Sequence, residues 1–289
     1  ILANNKMRIV LTGGSGYIGS SLTPVLIKKY GRVYNIGRNT ISEVSINGSK
    51  EYCEFTYESL FDSLVELSPD LVINLAAGYY NDSGAPDLNV IDGNLKIPFI
   101  ILEYFKSCNY GRFINIGSYW EFSCSGRGVK GVNPYGIIKS TVRRLLDYYS
   151  KYNVIYTNLI LYGSYGDNDH RGKIVDCIID AVNSNETLKL SPGEQKLNLV
   201  YIDDIIEAIL YIVSSDNGQY DNETLSIYTP TEHTVKEIVC FINEIKDNNL
   251  SLGGGRYRND EVMAPDYKYR NIFHAKDKLK EYITSKIKK

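Results

Sequence analysis

Two side chains that could transfer a proton stand four residues apart, Tyr135 and Lys139 in N-P-Y-G-I-I-K-S, 17 residues after a serine, Ser118, that ends an apolar run. On a helix, positions i and i+4 share one face, so the ammonium would lie near the phenol. A nearby cation favours the phenolate, and we expect it to lower the pKa of Tyr135 from about 10 toward neutrality. The pair alone is weak evidence in a chain with 25 tyrosines, where a packed tyrosine beside a solvated lysine gives the same spacing.

The N-terminal part carries a glycine pattern typical of a dinucleotide-binding loop. After a strand-like run at residues 7–12 comes G-G-S-G-Y-I-G, which places Gly13, Gly16 and Gly19 at three-residue spacing before a helix-compatible stretch at 17–29. Such glycines permit positive φ, let the backbone approach a pyrophosphate, and allow the helix and strand to pack closely. Because the pattern follows a strand and precedes a helix, it predicts cofactor binding. A purely structural glycine turn is the alternative.

Composition limits the possible function classes. The chain has 289 residues, enough for one large or two modest domains, and a formal net charge of −2, which offers no basic patch for a nucleic acid. It has no apolar run of about 18 residues and no signal-peptide pattern, so we expect a cytoplasmic protein without a membrane span. Five cysteines without C-x-x-C and three histidines without H-x-x-x-H predict no metal site, and we expect most thiols to be buried.

Strand-like and helix-like segments alternate over the first part of the chain. The predicted strands are 7–12, 32–36, 51–55, 71–75, 112–116 and 154–161. The predicted helices between them include 57–67, 89–108 and 134–152. Apolar strands that alternate with amphipathic helices predict an α/β fold, a Rossmann-type doubly wound parallel sheet.

The pattern changes beyond residue 163, where loops rich in Gly, Asp, Asn and Pro separate shorter elements and one clear helix is predicted at 203–214. This indicates a smaller C-terminal lobe. We therefore assign residues 1–165, with about 199–230, to the cofactor-binding domain. Residues 166–198 and 231–289 are assigned to a smaller lobe that would bind the substrate.

Several motifs occur in the order shown by the extended short-chain dehydrogenase/reductases. They are T-G-G-S-G-Y-I-G, I-N-L-A-A-G, D-G-N-L-K-I-P, Ser118 after the fifth strand, Y-G-I-I-K, and V-Y-I-D-D-I-I-E-A at 200–208. From about residue 7 to about residue 265 the chain resembles the NAD(P)-dependent epimerase/dehydratase family, which acts on nucleotide sugars. The resemblance implies that Ser118 hydrogen-bonds the sugar carbonyl or hydroxyl, that Tyr135 carries the proton, and that Lys139 holds the nicotinamide ribose and tunes the tyrosine.

The resemblance also implies which residues contact the cofactor. Besides Tyr135 and Lys139 they are Gly13, Gly16, Tyr17, Ile18, Gly19, Arg38, Ala76, Ala77, Gly78 and Asn94. Asn94 has a structural alternative, since asparagine can break or cap a helix. Asp203 and Asp204 have one too, as an N-cap pair at a helix start. We favour the structural role for these three.

The end of the second strand, Y-N-I-G-R-N-T, favours NADP over NAD. NAD-selective Rossmann folds place an acidic residue there, which binds the ribose hydroxyls and repels a 2′-phosphate. In this chain no carboxylate precedes Glu43, and Arg38 stands where a phosphate would bind. An arginine that stacks on adenine, or is simply exposed, is the alternative.

The residues after Ser118 separate the reactions of the family. Sugar 4,6-dehydratases have Thr followed at once by Asp-Glu, whereas Ser118 is followed by Tyr119 and Trp120, and Glu121 stands one position late. A 4-epimerase would usually have S-x-x-x-V-Y-G, which is absent. S-P-G-E-Q-K-L-N-L-V-Y-I-D-D and R-Y-R-N-D-E-V-M are similar to segments of the CDP-paratose and CDP-abequose synthases. The resemblance thus implies NADPH-dependent 4-keto reduction of a deoxy nucleotide sugar, a CDP-sugar favoured, for surface polysaccharide (O-antigen) biosynthesis.

The substrate would contact Ser118 and Tyr119, and its diphosphate needs cationic donors. Arg256 and Arg258 suit bidentate phosphate contacts, with solvated loop cations as the alternative. Family members usually carry Arg-Asp where this chain has Leu197 and Asn198, so one phosphate contact is missing. The cations that could replace it are Lys196, Lys173 and Arg171.

Other functions remain open on the same fold. A nucleotide-sugar epimerase would retain its cofactor and consume no NADPH, and a non-catalytic NADP-binding sensor would not need the Ser118, Tyr135 and Lys139 set. A nucleic-acid partner is disfavoured by the net charge. By analogy with the family, a homodimer would form through the helices that bear Asn94 and Tyr135.

Overall fold

A computed structural model describes residues 7–37, 41–44, 50–53, 59–80, 88–123, 131–215 and 218–288, with backbone alone for 41–44 and 50–53. The strands are β1 Ile9–Thr12, β2 Val33–Ile36, β3 Ile41–Val44, β4 Lys50–Cys53, β5 Leu71–Asn74, β6 Gly111–Ser118, β7 Val154–Leu161, β8 Gly163–Tyr165, β9 Leu188–Lys189, β10 Lys196–Leu197, β11 Leu199–Tyr201, β12 Glu223–Tyr228, β13 His233–Thr234, β14 Leu250–Ser251 and β15 Asn271–His274.

Helices alternate with these strands. They are α1 Tyr17–Tyr30, α2 Leu60–Leu67, α3 Asn89–Ile91, α4 Ile97–Cys108, α5 Pro134–Tyr149, α6 Ile174–Ser184, α7 Ile202–Ser214, α8 Val235–Asn243 and α9 Leu279–Lys286. A π-helical turn, Asp92–Lys96, joins α3 to α4, so the helix predicted at 89–108 is continuous.

The large sheet has the strand order β15-β12-β7-β6-β5-β1-β2-β3-β4. Seven of these strands, from β15 to β2, run parallel. The chain builds outward from β1 in one direction, then returns to place β5 on its other side, which creates the crevice where open α/β sheets bind ligands. The predicted Rossmann-type fold is confirmed.

Two edges of the sheet differ from the sequence prediction. The segment predicted as a strand at 51–55 forms β4, which pairs antiparallel with β3, and β3 in turn pairs antiparallel with β2. These strands extend the sheet as a hairpin, without the crossover helix that parallel pairing requires. At the other edge, β15 pairs parallel with β12. Residues 271–274 therefore belong to the large sheet and not to the smaller lobe.

Helices cover both faces of the sheet because successive strand residues point to opposite sides. Ile9 and Leu11 of β1 pack in one core with α1 and α7, whereas Val10 packs in a second core with α2, α4 and α5. A third core joins α6, α8 and α9. The expected burial of the thiols is wrong for Cys108 and Cys240, which are exposed.

A row of buried polar side chains crosses four adjacent strands, and the sequence pattern did not predict it. Thr12 donates to Asn74 at 2.6 Å, Asn74 to Asn115 at 2.8 Å, and Asn115 to Asn158 at 2.7 Å. These residues are paired in register on β1, β5, β6 and β7. Each bond pairs a buried donor with a buried acceptor, and Asn158 Nδ2, at the end of the row, has no partner among the described residues. We call these four residues the asparagine ladder.

Asp204 connects α7 to the C-terminal segment. Its carboxylate accepts hydrogen bonds from the Lys276 N–H at 3.1 Å and from Lys278 Nζ at 2.7 Å. The N-cap residue of α7 is Tyr201, so the alternative of an Asp203–Asp204 N-cap pair is wrong, and both aspartates lie in the first turn. Asp204 is buried and Asp203 is exposed, which makes them a matched pair for mutation.

We predict that Asp204→Ala lowers the free energy of unfolding by about 2 to 3 kcal/mol, because it removes hydrogen bonds to a charged, buried group. Asp203→Ala, in the same helical turn, should change it by no more than about 0.5 kcal/mol. Urea unfolding followed by circular dichroism measures both. Equal effects of the two substitutions would contradict the assigned contact.

Candidate active site

The predicted dinucleotide loop has no room for side chains. Gly13 has a φ of 74°, and a Cβ added to it would lie 2.6 Å from the Ala76 nitrogen. A Cβ at Gly19 would lie 2.4 Å from the Gly13 carbonyl oxygen, which also accepts the Gly16 N–H at 3.0 Å. The loop therefore contacts the turn that follows β5, and the two segments line one edge of the sheet. This arrangement fits a bound dinucleotide.

Asn94 holds the turn after β5 by hydrogen bonds. It is fully buried in the π-helical turn, and its Nδ2 donates to the carbonyl oxygens of Gly78 at 2.7 Å and Val90 at 2.8 Å. A Cβ on the neighbouring Gly93 would lie 2.7 Å from the Gly78 nitrogen, so the helix and the turn are in close contact. Both contacts are to backbone carbonyl oxygens, so Asn94 supports the Ala76–Gly78 turn, of which Ala77 is exposed.

The three predicted proton-transfer residues meet where α5 begins. Ser118 ends β6, and Asn133 caps α5 by accepting the Gly136 N–H at 3.2 Å. Lys139 is buried, its Nζ donates to the Ile116 carbonyl at 2.9 Å and lies 5.8 Å from the centre of the Tyr135 ring. The i, i+4 spacing therefore places both side chains on one helix face, against the end of β6.

The electrostatics of this group differ from the sequence prediction. Burial raises the pKa of Tyr135, and a hydrogen bond with Ser118 only partly offsets it. Burial also lowers the pKa of Lys139 to about 8, against the opposing effect of the Glu121 charge. The expectation that Lys139 lowers the Tyr135 pKa is wrong for this structure, because desolvation of the phenolate dominates. At neutral pH Tyr135 is a protonated phenol, a proton donor.

Arg258 lies over the Trp120 ring, close to the Ser118, Tyr135 and Lys139 site. Its guanidinium carbon is 5.5 Å from the centre of the Trp120 ring, which meets the Tyr135 ring edge-on at 6.0 Å. The loop that carries Arg258 is held by Asp260, which accepts a hydrogen bond from Asn133 Nδ2 at 2.7 Å. The Trp120 ring therefore connects Arg258 to the phenol. The side chain of Arg258 is 59% exposed and pairs with Glu261 at 3.3 Å. Arg256 is exposed on the same loop.

Tyr119 packs instead of pointing freely into a cleft. Its ring stacks on Tyr162 at 5.1 Å, and Tyr162 stacks on Tyr267 at the same distance. Burial raises the pKa of the Tyr119 hydroxyl. The stacked rings form a rigid wall that continues from the turn after Ser118, so Tyr119 contributes mainly packing in this structure.

The cations considered as replacement phosphate contacts have different surroundings. Arg171 pairs with the buried carboxylate of Asp169, and its guanidinium carbon lies 4.1 Å from the centre of the Tyr17 ring. Lys173 Nζ lies 5.0 Å from the centre of the Tyr79 ring, and desolvation together with the Arg171 and Arg258 charges lowers its pKa. The outer surface of the smaller lobe holds Lys196, which pairs with Glu232 at 3.5 Å. Lys173 and Arg258 thus influence each other beside the candidate site.

The departure at Leu197 and Asn198 has a structural explanation. Leu197 packs against the third core. Asn198 is buried, donates to the Thr229 carbonyl at 2.9 Å and accepts the Thr229 N–H at 3.0 Å. Asn198 thus holds this segment to the residue that follows β12. An arginine at Leu197 would place a charge against the packed apolar side chains of the third core.

Two residues near the site were not indicated as functional by the sequence. Glu121 accepts the Ser118 N–H at 3.0 Å, and Arg143 donates to its other oxygen at 3.2 Å. Arg143 follows Lys139 by four residues, as Lys139 follows Tyr135. This spacing places all three on one face of α5, which could have indicated Arg143 as a residue of the site. Burial raises the pKa of Glu121, whereas Ser118 and Arg143 oppose that rise.

Comparison with known proteins agrees with this geometry. The sequence model of the NAD dependent epimerase/dehydratase family matches residues 9–227. The chain belongs to this family. Membership confirms the predicted family and the prediction of an NAD(P)-dependent enzyme of the extended short-chain dehydrogenase/reductase type.

Individual relatives are distant but cover nearly the whole chain. CDP-abequose synthase of Salmonella typhimurium is 24% identical over 92% of this chain and 91% of the relative. The structure of MoeE5 with UDP-glucuronic acid and NAD has a TM-score of 0.81 at 20% identity, and covers 97% of both chains. UDP-glucose 4-epimerase of Thermotoga maritima, solved with UDP-glucose, has a TM-score of 0.77 at 22% identity and the same coverage. The two structures show a shared fold.

Neither a metal site nor a membrane-spanning helix is found among the described residues. No group of three or more His, Cys, Asp or Glu side chains is arranged to hold a metal ion there. No helix in that part of the chain is long and apolar enough to cross a membrane.

We predict that Gly19→Ala weakens NAD(P)H binding at least about tenfold, because its methyl group would displace the Gly13 carbonyl. Ser20→Ala is the matched control, since Ser20 is exposed on the same turn of α1. Titration of nicotinamide fluorescence measures the affinity. Wild-type affinity in Gly19→Ala would show that the loop does not contact the dinucleotide.

Proposed function

We propose that the protein is an NADPH-dependent ketoreductase that reduces the 4-keto group of a deoxy nucleotide sugar, with a CDP-sugar favoured. The observation that carries this proposal is the grouping of Ser118, Tyr135 and Lys139 where β6 ends and α5 begins, with Lys139 Nζ 5.8 Å from the centre of the Tyr135 ring. Ketone reduction consumes a proton, and a phenol with a raised pKa is in the donor state at neutral pH.

The residues divide the reaction between them. NADPH, when bound, supplies the hydride that the sugar carbon accepts. Tyr135 gives its proton to the alkoxide oxygen, and Ser118 and Tyr135 both donate hydrogen bonds to the oxygen as its negative charge develops. Lys139 holds the nicotinamide ribose, and its charge stabilises the phenolate that remains.

The alternative within the family is a nucleotide-sugar epimerase. The similar fold of UDP-glucose 4-epimerase favours this candidate. An epimerase begins by removing a proton from a sugar hydroxyl and returns the hydride to the sugar, so it differs from a reductase in consuming no net NADPH. A non-catalytic NADP-binding sensor has no observation in its favour, since the proton-transfer residues lie together.

The proposal is tested by offering the protein NADPH with CDP-, dTDP-, GDP- and UDP-linked 4-keto sugars and following the absorbance of the reduced nicotinamide. A reductase consumes NADPH with at least one of them. Interconversion of two sugars without net NADPH consumption would establish the epimerase instead.

We predict that Tyr135→Phe lowers kcat by about 10² to 10⁴, the usual range for a lost general acid, and leaves NADPH affinity nearly unchanged. Tyr148→Phe, which alters an exposed tyrosine of the same helix, is the control. Steady-state rates and a nicotinamide fluorescence titration decide the matter. More than about half of the wild-type kcat in Tyr135→Phe would remove the phenol from the mechanism.

The preference for NADP rests on the end of β2. Gly37 follows this strand directly and brings no carboxylate to repel a 2′-phosphate. Arg38, the cation expected to bind that phosphate, lies outside the described residues. The proposal therefore keeps NADPH as the reductant on the basis of the sequence of this segment.

Arg38→Ala should weaken NADPH about 10- to 150-fold and change NADH little, because a charge-assisted contact contributes about 1.5 to 3 kcal/mol. Lys28→Ala, which removes an exposed cation near the end of α1, controls for net charge. Parallel titrations with both cofactors give the ratio. Equal losses for NADPH and NADH would mean that Arg38 contacts adenine.

On the substrate side, the proposal assigns the diphosphate to Arg258 with Lys173. Lys173 lies beside the Tyr79 ring and Arg258 beside the Trp120 ring. Arg258 would exchange its exposed pairing with Glu261, at 3.3 Å, for the phosphate, whereas Arg171 is held by the buried carboxylate of Asp169. Arg256 would contribute less, since it is exposed and the loop is held beyond it, at Asp260. The smaller lobe would thus supply the substrate contacts, and Ser118 and Tyr119 would border the sugar.

Arg258→Ala should raise KM for the nucleotide sugar about tenfold or more, with NADPH binding unchanged. Arg256→Ala should have a smaller effect. Lys280→Ala, on α9 beside the Phe241 ring, should have none. Kinetics on one good substrate compare the three variants. A wild-type KM in Arg258→Ala would move the diphosphate site toward Asp169–Lys173.

Exposed apolar side chains on α4 and α5 support a proposed homodimer. Phe99 of α4 and both Ile137 and Tyr148 of α5 are large apolar or aromatic side chains with 44 to 49% exposure. They lie on the helices through which we propose a homodimer. A cytoplasmic role in surface polysaccharide (O-antigen) biosynthesis, without a nucleic-acid partner, follows from the proposed substrate class.

A further inference from the structure

Glu121 is a buried carboxylate beside the site that the proposed proton transfer does not use. Only 1% of its side chain is exposed. One oxygen accepts the Ser118 N–H at 3.0 Å, and the other accepts Arg143 Nε at 3.2 Å. Burial of a charge is costly unless it is paired and hydrogen-bonded, and here both oxygens have a partner.

The asparagine ladder ends next to the same carboxylate. A Cβ built on Gly117 would lie 2.6 Å from Glu121 Oε1 and 3.2 Å from Asn158 Nδ2, so these atoms flank one point of β6. Asn158 Nδ2 is the last donor of the ladder, and it is buried without a hydrogen-bond partner in the described structure. Burial raises the pKa of Glu121, whereas the hydrogen bonds from the Ser118 N–H and Arg143 oppose that rise and favour the ionised carboxylate.

Lys139 is the buried cation on which this negative charge acts. Its Nζ donates to the Ile116 carbonyl at 2.9 Å, and Glu121 accepts the N–H of Ser118 two residues further on, so both side chains lie at the same end of β6. At this position the charge of Glu121 favours the ammonium. The other titratable or charged groups that face Lys139, Tyr135 or Glu121 are Tyr79 after β5, Tyr119 after β6, Arg143 on α5 and Tyr269 before β15. Of these, Arg143 is paired with Glu121, and burial raises the pKa of Tyr119 and of Tyr269.

We propose that Glu121 is a positioning residue that orients Ser118 and keeps the Lys139 amine protonated over the working pH range of the site. Ser118 is held through its backbone N–H, and its hydroxyl accepts the Trp120 N–H at 3.3 Å, so the turn closes on itself. Arg143 keeps the carboxylate in place. The inference deepens the proposed function, because it explains how a buried lysine remains charged beside the phenol.

The test measures Lys139 directly and needs no turnover. The Cε signal of Lys139 in ¹³C-lysine-labelled protein is the one that disappears in Lys139→Met. In the wild type it should titrate with a midpoint of about 8. Glu121→Gln should lower the midpoint by about one pH unit or more, since an opposite charge nearby has been removed.

Two further variants control this result. Asp147→Asn removes a carboxylate from α5 that hydrogen-bonds Tyr156, so the midpoint should not move. Glu121→Asp keeps the charge and should retain most of the wild-type midpoint. It also identifies the Glu121 Cδ signal, which in the wild type should have the chemical shift of an ionised carboxylate at pH 7. This last measurement stands even if Glu121→Gln does not fold.

An unchanged Lys139 midpoint in Glu121→Gln, or a protonated Glu121 at pH 7 in the wild type, would overturn the inference. Both results are independent of the proposed reaction. If the midpoint shifts and no keto sugar is reduced, the inference stands and the proposed function fails. If keto sugars are reduced and the midpoint stays fixed, the function stands and Glu121 has only a packing role.

Discussion

The arrangement of the active site depends on the close approach of α5 to the turn that follows β6. A Cβ added to Gly136 would lie 2.4 Å from the Trp120 carbonyl oxygen, so only glycine permits this contact. The contact brings the first turn of α5 against Ser118. Asn133 caps that turn and donates a hydrogen bond to Asp260 of the smaller lobe, so the lobe is fixed at the same place. The phenol, the hydroxyl and the ammonium are held by this packing before any ligand binds.

Close packing has an electrostatic consequence. It removes water from Tyr135 and Lys139, and each pKa moves toward the neutral form of its group. A phenol that keeps its proton suits the addition of a proton to a ketone. A lysine that tends to lose its proton needs a negative neighbour, and Glu121 with Arg143 occupies that position. The buried charges thus form one set, linked to the asparagine ladder through the end of β6.

The sequence predicted the parts of the site that have local spacing. The glycine loop and the Tyr135–Lys139 pair follow from distances of three and four residues along the chain. The asparagine ladder joins residues 41 to 62 positions apart, which no periodicity reveals. The Tyr135 pKa was predicted in the wrong direction because spacing gives the neighbour of a group and not its burial. The edge strands β4 and β15 were misassigned because pairing direction and sheet membership depend on tertiary contacts.

Hydride transfer to the sugar is the central claim, and isotope labelling tests it most directly. The protein is incubated with NADPH that carries deuterium at the transferable C4 position and with a nucleotide 4-keto sugar, and the product is examined by NMR and mass spectrometry. The account predicts one deuterium per sugar, bound to C4, with one equivalent of NADP⁺ formed. A product without deuterium at C4, or C4 inversion of a sugar without NADP⁺ formation, would contradict it.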